Sequence, residues 1–210
     1  MEHPKARLLQ GAHRVWVEAP EDYGTAHLAE AFLELAPEGH QRIWIELRSE
    51  ALEDPVAVGN AFSDAMYTAL GLLLPSGMEW GVLTALWAKQ AHLFQPMSVA
   101  ITGADQAPEF VTRLMELSSE EDRWFLAGEN LAEFDSHQSG IILQVDDLRL
   151  SEEDFSPSFA EKAGQEALAR AIRETQGAFE RLLVQLHQEG AVPEPLRPGS
   201  RGPRLLTPQP

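Results

Sequence analysis

The sequence predicts a three-layer α/β/α domain built around a mostly parallel five-stranded sheet. Short apolar segments alternate with helix-like stretches through residues 15–145, and these segments show little alternation of polar and apolar residues. Strands separated by helices form parallel β-α-β units with right-handed crossovers. Strands that are apolar throughout are typical of a sheet covered on both faces.

Each predicted element has its own signal. The strands are rich in β-forming residues, and the helices are marked by apolar positions three and four apart and by acidic or proline starts. The predicted strands are 15–17, 43–47, 98–102, 123–127 and 140–145. The predicted helices are 25–36, 55–74, 79–94 and 108–117.

The pattern changes after Val145. Ser151 and Asp154 have the spacing of a weak capping box, and a helix is predicted over 164–188, ended by Gly190. The last stretch holds six prolines and few residues to bury, so we expect it to be disordered or extended. The predicted organisation is an α/β domain at 1–150, a helical extension at 151–190 and a proline-rich tail at 191–210.

Composition limits the classes of partner. The net charge is −17, and a surface of this sign repels nucleic acid and anionic lipid. No apolar run approaches the roughly 20 residues of a membrane helix. The chain has no cysteine, and no apolar segment follows its first residues. We therefore expect a cytoplasmic protein that binds neither nucleic acid nor membrane.

One segment has the setting of a phosphate-binding loop without its chemistry. It is Ala19-Pro20-Glu21-Asp22-Tyr23-Gly24-Thr25-Ala26, between a predicted strand and a predicted helix. Strand, tight turn and helix are the context of a P-loop, where backbone N–H groups and a lysine surround the phosphates and a Ser/Thr hydroxyl binds magnesium. Thr25 and Ala26 stand where those two residues would be.

Several segments together resemble the STAND-class ATPases, in particular the maltose-activator-like branch of large LuxR-type transcriptional regulators. The loop and the start of its helix resemble that family's "APAGYGKTTL" motif. Four later segments resemble, in order, its second strand and following helix, its Walker B strand, its "LVLASR.DL" sensor strand and the segment after that. These four are Ile43–Leu47 with Glu53-Asp54-Pro55, Ser98–Gly103, Trp124–Leu131 and Ile142–Glu153. The resemblance covers roughly residues 8–155.

The chain departs from this family where the family binds and hydrolyses ATP. Thr25 replaces the lysine, Ala26 the magnesium-binding hydroxyl and Asp22 a glycine of the turn. Thr102-Gly103 replace the Walker B aspartates, and Glu129 replaces the sensor-strand arginine. Phosphoryl transfer depends on positioning and charge stabilisation by such groups.

These losses predict a non-catalytic regulatory or protein-interaction module with no catalytic residue, cofactor or metal ion. Asp105, two residues beyond Gly103, could partly substitute for the lost aspartates, although it falls past the end of the strand. The resemblance implies self-association as a further possibility. Two alternatives stay open: binding of a nucleotide or small ligand without hydrolysis, and transcriptional regulation. The net charge and the end of the sequence before the family's DNA-binding domain argue against the second.

Two apolar stripes are either core or partner surfaces. Trp80, Trp87 and Phe94 are seven residues apart, and Leu182 and Leu186 belong to a stripe on the last helix. Core packing is the simpler interpretation. Because aromatic side chains dominate interface hot spots, these five residues are also the candidate interface.

The remaining sequence patterns do not indicate a metal site or a catalytic site. The seven histidines show no paired ligand spacing, which favours surface or capping roles. The pairs Asp146/Asp147 and Glu152/Glu153 have no identifiable partner nucleophile. Ser136-His137-Gln138-Ser139 lacks the elbow motif of a serine hydrolase.

Overall fold

A single five-stranded parallel sheet organises the protein. The computed structural model describes residues 3–47, 54–132, 134 and 140–193. Within this part of the chain the strand order is β2-β3-β4-β1-β5, and all four pairings are parallel. The strands are β1 Arg14–Glu18, β2 Gln41–Glu46, β3 Met97–Thr102, β4 Arg123–Gly128 and β5 Ile141–Gln144. The predicted parallel sheet is confirmed.

Helices cover both faces of the sheet, so the three-layer α/β/α prediction is also confirmed. On one face α1 packs Phe32 against Phe125 of β4, with ring centroids 5.6 Å apart. On the other face α2, α3 and α4 surround a core that contains Phe62 and Phe110, whose centroids are 5.5 Å apart. The first four helices are α1 Thr25–Glu34, α2 Pro55–Leu70, α3 Trp80–Trp87 and α4 Pro108–Glu116.

The central strands explain the apolar sequence pattern. Every residue of β3 and β4 is buried, because helices lie above and below them. Arg123, at the start of β4, is buried too. Its guanidinium donates to the carbonyls of Ala12 (2.8 and 3.1 Å) and Leu35 (2.9 Å), and it lies 4.5 Å above the Phe32 ring. These contacts hold the carboxyl end of α1 against the sheet.

Two predicted helices of the α/β domain are shorter than expected. The helix predicted over 55–74 ends at Leu70, because Gly71 takes a left-handed conformation (φ 66°) as its C-cap. The helix predicted over 79–94 ends at Trp87. Phe94 then stacks on Trp87 at 5.5 Å. A continuous helix would place them about 10 Å apart along its axis, so this contact requires the chain to turn back.

The predicted helix over 164–188 is wrong as a single element. It is divided into two helices at Gln176 and Gly177, whose φ angles are 55° and 76°. The Gly177 N–H donates to the Ile172 carbonyl (3.0 Å), which closes the first helix in a Schellman-type turn. A Cβ on Gly177 would lie 2.6 Å from the Leu150 nitrogen, so the turn is pressed against the chain that follows β5.

The region after β5 is helical. The Ser151–Asp154 capping box is confirmed, but it opens only a short 3-10 helix, and a helix not predicted from the sequence starts after Ser156. The last helices bury their own apolar cluster, which includes Leu168 and Phe179. These helices are α5 Val145–Leu148, α6 Pro157–Ala163, α7 Gln165–Thr175 and α8 Phe179–Gln188. Most of the tail predicted to be disordered, 194–210, lies outside the described residues.

Candidate functional site

The loop that resembles a P-loop connects β1 to α1, as the sequence predicted. Ala19 and Pro20 follow the strand, Glu21–Tyr23 form one turn of 3-10 helix, and α1 starts at Thr25. Gly24 joins the two helical segments with φ 80°, the left-handed conformation that glycine adopts most readily. The strand, turn and helix are therefore present at the carboxyl end of an internal strand.

A cleft lies at this edge of the sheet, where the chain departs toward opposite faces. After β1 it enters α1 on one face, and after β4 it passes to Leu131, in the core on the other face. Such a divergence opens a crevice at the carboxyl ends of parallel strands, the usual ligand position in open α/β sheets. The cleft measures about 720 Å³ and is lined by residues that follow β1, β2, β3 and β4.

The walls of the cleft are acidic. Among the residues that the structure describes, its lining contains five carboxylates and one cation, Arg181. The Arg181 guanidinium pairs with the Asp22 carboxylate. A triphosphate entering here would meet these carboxylates, and the one cation of the described lining, Arg181, is already paired with Asp22. The five carboxylates are Glu21, Asp22, Glu46, Asp105 and Glu129.

Thr102 and Gly103, the positions that the resemblance matches to the Walker B aspartates, each make close contacts with the end of β2. Thr102 is buried, and its hydroxyl accepts a hydrogen bond from the Trp44 indole (3.4 Å). Gly103 has φ 69°, and a Cβ there would lie 2.1 Å from the Leu47 carbonyl oxygen. A carboxylate-bearing residue therefore does not fit at position 103 without movement of the β2 end.

Asp105, the possible substitute, lines the cleft but is held against β4. Its carboxylate accepts the Glu129 N–H (3.2 Å) and the Gln106 side-chain N–H (3.4 Å). A Cβ on Gly128 would lie 2.3 Å from Asp105 Oδ1, so the carboxylate occupies the space that this glycine leaves. Among the described residues no group of three or more histidines and acids is arranged to hold a metal ion.

The start of α8 covers the β1–α1 turn, a contact that the sequence pattern does not predict. Three consecutive residues make the contact. Phe179 packs on Gly24, the Glu180 carboxylate lies 2.9 Å from His27 Nδ1, and Arg181 pairs with Asp22. The Glu180 contact is an ion-pair distance without hydrogen-bond geometry. No local sequence signal links residues more than 150 positions apart, so only the fold could bring them together.

His3 completes this contact from the N-terminal side. It is 1% exposed and its ring lies 4.4 Å from that of Phe179. Nε2 is 2.9 Å from the Tyr23 carbonyl and Nδ1 accepts the Lys5 N–H (3.1 Å), which fixes the neutral tautomer with its proton on Nε2. Burial lowers the pKa of His3 to about 4, and the nearby ammonium group of Lys5 acts in the same direction.

The candidate interface residues do not form an exposed surface. Trp87, Leu182 and Leu186 are 2%, 0% and 0% exposed, and Trp80 and Phe94 are half-buried. Trp80 packs on Phe110 (5.9 Å) and Phe94 on Trp87. The stripes therefore belong to the core, because the sheet and the α7–α8 pair bury them within one chain.

The remaining sequence candidates are separate from the cleft. Asp146 and Asp147 lie within α5, where Asp147 caps the helix by accepting the Gln144 N–H (2.8 Å). Ser136–Ser139 lie outside the described residues.

Comparison with known proteins adds no relative. A scan against protein-family models finds no family that matches, and a search of curated proteins finds no significant similarity. In the described part of the chain, none of the helices has the length and apolarity needed to cross a bilayer.

The Gly24 turn gives a first prediction. Gly24→Ala places a Cβ 2.6 Å from His3 and 2.7 Å from Phe179 and adds the cost of a left-handed alanine. We expect a loss of at least about 2 kcal/mol in the free energy of unfolding, measured by urea denaturation. The matched control is Gly39→Ala, with φ 88° and open space around the new Cβ. It should lose only about 1 kcal/mol. Equal losses in both variants would show that the packing on Gly24 is unimportant.

His3 gives a second prediction, on pH. The folded protein keeps His3 neutral down to about pH 4, whereas the unfolded chain binds a proton below its ordinary pKa of 6.5. The free energy of unfolding should therefore decrease as the pH is lowered through the window between these two pKa values. For this residue the decrease from pH 7 to pH 5 should be about 2 kcal/mol. His3→Gln should show a flatter pH dependence in urea denaturation, while the exposed control His92→Gln should follow the wild type. Parallel curves for His3→Gln and wild type would contradict the assignment.

Proposed function

We propose that the protein is a non-catalytic regulatory or protein-interaction module, derived from a STAND-type ATPase fold and acting by binding a protein partner. The observation that carries the proposal is the acidic cleft at the position where a nucleotide would bind. α8 covers the β1–α1 turn of this cleft, and Arg181, the one cation among the described residues that line it, is paired with Asp22.

The charges of the cleft support this function over phosphoryl transfer. Catalysis of that reaction requires cations or a metal ion around the transferred group. The cleft instead has a carboxylate at the carboxyl end of each of four strands, and Gly103 leaves no space for a metal-binding side chain. The apolar stripes pack within the chain, which favours the acidic cleft as the partner surface.

The cleft volume favours one second candidate, the binding of a small ligand without turnover. About 720 Å³ is within the range of small-molecule pockets. An adenine could be held by apolar contacts even without phosphate contacts.

Calorimetric titration with ATP and ADP, with and without magnesium, tests the proposal. We expect no saturable heat at micromolar concentrations, because the carboxylates oppose the phosphates. Saturable micromolar binding of either nucleotide would replace the proposed function with the second candidate.

A loop restoration gives a sharper prediction. Thr25→Lys combined with Ala26→Thr returns the lysine and the hydroxyl of a P-loop, but Gly103 and Glu129 remain. We expect phosphate release from ATP at the background rate of the wild type, with circular dichroism to verify that the variant is folded. Turnover above that background would show that the other groups of a working site are present.

A further inference from the structure

The carboxylates of the cleft form a row along the sheet edge. Glu46 ends β2, Asp105 follows β3, Glu129 follows β4, and Glu21 and Asp22 follow β1. Neighbouring strands are about 4.8 Å apart, so a row crossing three such spacings extends about 14 Å. The parallel sheet thus repeats a negative charge at each of four adjacent strand ends.

Polar atoms in the wall lack partners. Asp22 Oδ1 and Gln106 Oε1 are buried without a hydrogen bond. The Gln106 amide is oriented by its N–H bond to Asp105, so flipping it would place oxygen against a carboxylate. Thr25 is 3% exposed and lines the cleft, and its hydroxyl forms no hydrogen bond with the described residues. Unpaired buried acceptors cost about 1–3 kcal/mol each, which a ligand rich in N–H donors can recover.

The chain already places a cation in this row. Arg181 reaches from α8 to Asp22, while 67% of its own side chain remains exposed. An exposed guanidinium held by one partner is easily displaced, because surface ion pairs contribute about 1 kcal/mol or less. Its removal uncovers the Asp22 carboxylate to an incoming donor.

We propose that the cleft is the docking site for a basic, extended segment of a protein partner, whose arginine or lysine displaces Arg181 from Asp22. The inference deepens the proposed function and depends on it. Alternate side chains of an extended segment are about 6.8 Å apart, so three basic residues at every second position extend about 14 Å. That length matches the carboxylate row, whereas a single small cation would neutralise only one end of it.

Fluorescence anisotropy with a labelled peptide of alternating arginine and glycine tests this docking. The wild type should bind it saturably at low salt and more weakly as the ionic strength rises. Asp22→Asn should weaken binding about tenfold, the effect of losing one charge-assisted hydrogen bond. Glu129→Gln should also weaken peptide binding. Because Glu129 is exposed, this variant separates the loss of a charge from a folding defect in Asp22→Asn.

The decisive comparison is between two arginines. Arg181→Gln should tighten peptide binding several-fold, because the internal competitor is removed. Arg170→Gln removes the same charge from an exposed pair with Glu189 and serves as the control for long-range electrostatics. Equal effects of the two substitutions, or no saturable binding to the wild type, would overturn the inference.

Two further measurements, of spermidine binding and of nucleotide binding, distinguish the possible negative results. Spermidine binding as tightly as the peptide, with the same dependence on Asp22, would assign the site to small polycations instead of a protein segment. Absence of peptide binding together with absence of nucleotide binding overturns this inference alone. Saturable nucleotide binding overturns the proposed function itself.

Discussion

The packing of Phe179 on Gly24 joins three distant parts of the chain. The ring fills the space that a side chain at position 24 would occupy, and His3 closes it from the N-terminal side. Gly24 is required here for two reasons: the turn is left-handed, and an aromatic ring approaches closely. Through this contact the first residues, the β1–α1 turn and α8 become one structure, and the position of Arg181 in the cleft depends on it.

The parallel sheet supplies the rest of the site. Because all strands run in one direction, their carboxyl ends meet at one edge, and the residues that follow them become neighbours. In an ATPase this geometry collects phosphate- and metal-binding groups around a nucleotide. In this protein the same edge collects carboxylates, with Asp105 fixed over Gly128 and Asp22 fixed by Arg181. The fold thus positions a charged row of the sign that attracts basic ligands.

Local signals predicted much of the fold, and their failures have physical causes. The strands and the capping box at Ser151 were recognised because apolar runs and hydrogen-bonding side chains act over a few residues. The sequence pattern does not indicate the division between α7 and α8, since the apolar spacing from Leu168 to Leu186 continues across it. Gln176 and Gly177 reverse the chain there because the turn packs against Leu150. The Trp87–Phe94 stack is a similar case, in which a tertiary contact replaced the regular helix that the spacing suggested.

The sequence by itself determined the three-layer parallel architecture, the position of the β1–α1 loop and the absence of a lysine from it. Only the tertiary structure decided that α8 covers this loop, that Arg181 pairs with Asp22 in the cleft and that the apolar stripes pack in the core. The reason is the range of the interactions concerned. Periodicity and capping act between near neighbours along the chain, whereas the contacts of Phe179, Glu180 and Arg181 join residues more than 150 positions apart.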